Sequence, residues 1–167
     1  KYIIDAIEKG FLEKLTWKRV KEEIKLVLNE KNAKKAIFKL FEYGVFRAVN
    51  PNIILTEKLK KDIENVEDNK DLIEELGLEK WLIYFLILLE ELTTQELNKV
   101  FQKFIFSVKF IQKYDYGRLK REEIEKQLLK KDITPFEIYT SLREMANETL
   151  ILIFLTSRNE KVQNNIL

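Results

Sequence analysis

Residues 11–51 read FLEKLTWKRVKEEIKLVLNEKNAKKAIFKLFEYGVFRAVNP. After Thr16, the residues Trp17, Val20, Ile24, Val27 and Leu28 recur at intervals that place side chains on one face of a helix. The Thr16 hydroxyl is suited to accept from the free N–H groups of a first helical turn, so the spacing predicts a helix to about Asn29. Lys18, Arg19, Lys21, Glu22 and Lys25 fall on its other side. Asn32 is expected to cap a second helix, with Ala36, Ile37, Leu40 and Phe41 inward and Gly44 as its stop. Asn50-Pro51 then breaks the helix, because the residue before a proline is pushed out of the helical region.

The same reading extends in both directions. Residues 2–9 form a short helix stopped by Gly10. Thr56 caps a helix to about Val66, and 67–70 is the most polar break and the expected linker, dividing 1–68 from 69–167. Residues 71–76 give a helical turn or two, ended by Gly77. Residues 81–89, WLIYFLILL, are apolar throughout and bracketed by Glu79, Lys80, Glu90 and Glu91. A bilayer span needs about 20 residues, so this run predicts a buried helix over 78–92 and no membrane partner. Thr93 and Thr94 cap 95–105, and Ser107 starts 108–114. Gly117 is expected to separate that helix from 118–131, where Leu119, Ile124, Leu128 and Leu129 pack. Thr134-Pro135-Phe136-Glu137 combines an N-cap, a first-position proline and a first-turn acid, a strong start for a helix to about Met145. Residues 148–156 and 160–166 close the chain. Short apolar runs at 53–55 and 151–155 are compatible with extended backbone, but their neighbours read as helix. The expected fold class is all-α, an antiparallel array of short helices.

Composition agrees. With 4 Gly and 2 Pro in 167 residues, the chain lacks the turns of a β-sandwich or barrel. The absence of Cys and His excludes disulfides, Cys/His zinc sites, thiol nucleophiles and histidine acid–base chemistry. The missing Cys also fits a reducing, cytoplasmic setting. The four Gly are isolated, so no phosphate-cradling loop is present, and no Ser sits in a nucleophile elbow. No two Asp form a D-x-D pair of the kind a two-metal site would need. No catalytic residue, metal ligand or cofactor site is therefore expected in this chain.

Charge is unevenly distributed although the total is only +2. Residues 1–50 and 98–134 are each net +5, and residues 51–97 between them are net −7. The candidate phosphate contacts are Lys18, Arg19, Lys21 and Lys25 in the first basic segment. In the second they are Lys109, Lys113, Arg118, Lys120, Arg121, Lys126 and Lys130, with the helix start at Thr134 as a further anion site. From charge alone, solvated faces with i,i+4 ion pairs are the simpler account. Most aromatics fall at core spacing. Tyr114 and Tyr116, in the second basic segment, are the best candidates for stacking on bases.

Leu15, Thr16, Arg19, Val20, Glu23, Ile24 and Leu28, continued by Asn32, Ala36, Leu40, Gly44, Val45 and Pro51, resemble the region after the nucleotide-reading neck in class II tRNA nucleotidyltransferases and bacterial poly(A) polymerases. Residues 82–92 with Thr93-Thr94-Gln95-Glu96-Leu97 resemble a helix pair of the longer bacterial forms. Thr134 to Tyr139 with Leu142, then Glu148, Leu150, Leu152, Asn159, Glu160, Lys161 and Val162, resemble their tail. The resemblance implies that 1–68 holds the end of the neck and body helices and that 69–167 runs from body to tail. It implies a tRNA partner, gripped for addition of CCA or a terminal A. It also implies a separate catalytic head and neck that use Mg and ATP or CTP. The residues alone leave open a helical protein–protein scaffold or, further off, a DNA-binding regulator.

Overall fold

The structure, a computed structural model, describes residues 16–166. The helix expected over 2–9, its Gly10 stop and Leu15 of the family pattern lie outside the described residues. The described chain is all-α: eleven helices and no strand. It divides into two compact units, the first ending at Phe106 and the second beginning at Ser107.

The first unit contains α1 (Trp17–Leu28), α2 (Ala33–Glu42), α3 (Val45–Val49), α4 (Glu57–Asp68), α5 (Lys70–Glu75), α6 (Lys80–Leu89) and α7 (Thr94–Lys103). Its centre is α6, where Trp81 to Leu89 are all buried. A helix that is apolar all round needs neighbours all round, and α1, α4 and α5 pack against it. Each such side chain contributes roughly 1.5–3 kcal/mol on burial, so α6 anchors the unit. Hydroxyls set the helix starts. Thr16 accepts from the Arg19 N–H, and Thr56 from the Leu59 N–H at 3.1 Å. Thr93 forms a full capping box with Glu96. Asn32 sits at the expected cap position, but its side chain makes no capping bond. Beyond Gly44 the chain makes one further short helix, α3, which buries Phe46 and Val49. Asn50 is extended, as its place before Pro51 requires, and its side chain accepts from the Asn52 N–H. The polar stretch 67–70 lies inside this unit, where Glu67 Oε2 accepts from the buried Tyr84 hydroxyl at 2.7 Å.

The second unit contains α8 (Val108–Leu128), α9 (Pro135–Leu142), α10 (Asn147–Thr156) and α11 (Glu160–Asn164), the last three packed on α8. One buried cluster holds Ile124, Leu128, Leu142, Met145, Ile153 and Val162, and Tyr114, Ala146, Ile151, Leu152 and Leu155 are buried as well. Two expectations are corrected here. Gly117 does not break the helix, and α8 runs through it without interruption. A Cβ at Gly117 would lie 2.6 Å from Thr149 Cγ2 and 2.9 Å from Met145 Cε, so the glycine lets α10 approach closely. Restoring one helix also corrects its phase. The buried stripe is Tyr114, Gly117, Ile124 and Leu128, and Leu119, expected inside, is 76% exposed. Lys161 donates to the Leu129 and Lys130 carbonyls and Asn165 to that of Leu128, closing the end of α8.

Candidate nucleic-acid interface

The two basic segments differ in what their cations touch. On α1, Lys18 and Arg19 are exposed. Lys21 turns inward: its ammonium donates to the Phe104 carbonyl at 3.1 Å and lies 4.3 Å from the Phe106 ring centroid. Burial pulls its pKa below that of an ordinary lysine. Lys25 pairs with Glu79 at 2.9 Å and lies 5.1 Å from the Trp81 ring centroid. The hydrogen bonds from Lys25 and from the Trp81 indole hold Glu79 below the usual carboxylate range.

On α8 the cations divide by face. Arg121 donates to Glu125 at 2.9 Å and to Thr156 Oγ1 at 2.6 Å, which ties α8 to α10. Arg118 is half-buried next to Asp115; burial pushes the Asp115 carboxyl up and Arg118 partly offsets it. Lys109, Lys113, Tyr116 and Lys120 recur at four, three and four residues, so they share one flank of the helix. Lys109 and Lys113 are exposed, and Tyr116 is 42% exposed between lysines. Lys120 is exposed and pairs with Glu123 at 2.7 Å. Lys126 is exposed on a different line. Tyr114, the other nominated aromatic, is buried against Phe110.

At Thr134 the helix start is already occupied. Glu137 accepts from the Thr134 N–H at 2.9 Å and from its hydroxyl at 2.8 Å, and the Thr134 hydroxyl accepts from the Glu137 N–H. Those bonds, the backbone one foremost, hold Glu137 below the usual carboxylate range. Phe136 belongs to the Thr134–Glu137 helix start. The structure leaves its ring 75% exposed, with Tyr139 of the same helix 64% exposed. Both are aromatics on a helix that the sequence marked by its start alone, with no inward face assigned, so nothing flagged them as exposed. Among the described residues no group of three or more His, Cys, Asp or Glu is placed to hold a metal ion. No described helix is long and apolar enough to cross a membrane.

No protein-family model matches the chain. Among curated proteins, the A-adding tRNA nucleotidyltransferase of Geobacter sulfurreducens is 27% identical over 174 residues, covering 98% of this chain. The chain spans 20% of that relative's length. Among solved structures, a CCA-adding enzyme in complex with ATP superposes with a TM-score of 0.78 at 20% identity, over 98% of this chain and 40% of the other. The Thermotoga maritima CCA-adding enzyme complexed with tRNA gives 0.76 at 21% identity, over 97% and 40%. These structural likenesses show a shared fold. Together with the sequence identity to the A-adding enzyme, they make the chain similar, over nearly its whole length, to a portion of these larger tRNA nucleotidyltransferases.

Proposed function

We propose that this chain grips tRNA and positions its acceptor arm while a catalytic head elsewhere in the enzyme adds CCA or a terminal A. Identity to an A-adding enzyme over nearly the whole chain carries this reading. The fold it shares with an enzyme solved on tRNA supports it. The lysine flank of α8 is the phosphate-binding surface we assign to the second unit, with Lys18 and Arg19 as contacts on the first. The chemistry belongs to the head: Mg, ATP or CTP and the metal-binding carboxylates are assigned there. Residues 1–68 we assign to the end of the neck and body, and 69–167 to the body and tail.

Titration of labelled tRNA with the chain at stepped salt concentrations tests this. The logarithm of affinity should fall linearly with that of salt, because phosphate contacts release counterions. A folded chain that ignores tRNA at low salt removes the reading in favour of a protein scaffold. Preference for duplex DNA would favour a DNA regulator.

A further inference from the structure

The lysine flank of α8 leads into a cleft. Gln127 lies on the same helical line as Lys109, Lys113, Tyr116 and Lys120, seven residues beyond the last, and it lines an open cleft of about 220 Å³ with Lys130, Ile133, Phe136, Thr140 and Ser141. From Lys109 to Gln127 the rise along the helix is about 27 Å. The charged row therefore ends at an apolar wall made by Ile133 and the exposed ring of Phe136.

The polar groups of the cleft have assigned directions. Ser141 Oγ lies 2.8 Å from both Gln127 Oε1 and the Glu137 carbonyl, its one proton serving either, and in both cases the Gln127 amide keeps an N–H to donate into the cleft. The Thr140 hydroxyl donates to the Phe136 carbonyl, so its oxygen can still accept. Glu137 also borders the cleft, but its carboxylate is held by Thr134 at the helix start. Among the described residues the exposed Lys130 ammonium makes no ion pair; it stands at the rim, where its charge acts on Glu137. An open aromatic face, an amide donor and a rim cation suit a flat ring that carries an acceptor edge and an attached phosphate. The volume is below the ~300–1,000 Å³ of pockets that enclose a drug-sized ligand, which fits one planar ring with its sugar outside.

We infer that this cleft receives a single unpaired nucleobase of a folded RNA, stacked on Phe136 with a flanking phosphate on Lys130, while α8 holds the adjoining backbone. The inference rests on the RNA-gripping reading and adds a preference to it: the second unit distinguishes RNA that offers a flipped-out base from RNA that is fully paired. Base–aromatic stacking tolerates any base, so the cleft selects for exposure and not for sequence.

The test uses the full chain and two RNAs of equal length. One is a hairpin with a single 2-aminopurine in its loop, and the other is a blunt, fully paired duplex. The hairpin should bind roughly tenfold tighter, with the 2-aminopurine fluorescence quenched on binding. Phe136→Ala should remove that tenfold preference and the quench and leave duplex binding unchanged. Phe136→Tyr should retain both. Phe136 is exposed, so the variants should fold, and a melting curve checks this. Equal, salt-dependent binding of hairpin and duplex, or a Phe136→Ala variant that still prefers the hairpin, overturns the cleft and leaves the gripping function standing. No binding to either RNA overturns both.

Discussion

In the first unit, Lys21, Lys25 and Lys103 lie over aromatic rings: Phe106 for the first, Trp81 for the second and Trp17 for the third, the last at 4.7 Å. In the second unit, Lys109 and Lys113 are exposed beside a single half-exposed tyrosine. By sequence the two basic segments carry the same net charge of +5. Their surroundings differ. The apolar helix α6 gathers Trp81, Phe85, Phe104 and Phe106 along its edge, and such rings attract ammonium groups. Net charge per segment therefore overstates the cationic surface of both helices, but α8 keeps Lys109 and Lys113 exposed where α1 turns Lys21 inward.

The largest expected effect tests that contrast. Lys109→Glu, Lys113→Glu and Lys120→Glu together should weaken tRNA binding about a hundredfold or more at 0.1 M salt, since each lost phosphate contact is worth about 0.9 in the log–log salt slope. The slope itself should flatten by about one per lysine. Lys21→Gln with Lys25→Gln should lower the melting temperature and leave the slope unchanged. Anisotropy titrations over a salt series read both. Equal losses of binding from the two variants, with both folded, would break the comparison.

The sequence announced much of this and misplaced some. Period, caps and stops were sufficient for the all-α class, for α6 as a buried helix and for the N-caps at Thr93 and Thr134, because those signals are local. Gly117 was misread because a glycine within a helical pattern has two explanations, a stop or a close contact, and the contact partner, Thr149, is 32 positions away. The inward turn of Lys21 was illegible for the same reason: Phe104 and Phe106 are more than 80 residues along the chain.

Gly117 gives the next effect. Gly117→Val should destabilise the second unit by about 2–3 kcal/mol, since the added methyls meet Thr149 and Met145. Thr149→Ala removes the nearest of those atoms, so Gly117→Ala should cost less in its presence than alone. Denaturant melts of the four proteins of that cycle give the coupling. Additivity would mean that the helices separate freely, and the second unit would then be no more tightly constrained than the first.

A smaller effect is expected in the large core of the first unit. Burial pushes the Glu67 carboxyl up, but hydrogen bonds from Tyr84 and Lys70 outweigh this and hold its pKa below the usual carboxylate value. A depressed carboxylate contributes stability that is present above its unfolded pKa of about 4.5 and lost as pH falls through the folded value. Tyr84→Phe should cost about 1 kcal/mol at neutral pH and shrink the stability lost on acidification from pH 5 downward. Thermal melts from pH 3 to 7 measure it. An unchanged acid limb would show that Lys70 alone holds the carboxylate.

The least effect should come from Ile105, where the two helix ends α5 and α7 differ in one residue. Both close with the same pair of bonds. Gly77 N–H donates to Glu74 and Leu78 N–H to Ile73; Ile105 N–H donates to Gln102 and Phe106 N–H to Phe101. The motif requires a left-handed residue, which glycine supplies at φ 68 and isoleucine at φ 54. For a β-branched residue that conformation costs roughly 1–2 kcal/mol, and Ile105, 68% exposed, recovers little of it by burial. The ring of Phe106, 5.0 Å from that of Phe101, holds the turn in place despite the strain. Ile105→Gly should therefore stabilise the first unit by about 0.5–1 kcal/mol, the relief being partly offset by the greater freedom of glycine in the unfolded chain. It should leave the tRNA salt slope unchanged, since the lysines of α8 are untouched. A loss of stability on this substitution would mean that the exposed isoleucine side chain makes a contact worth more than its backbone strain.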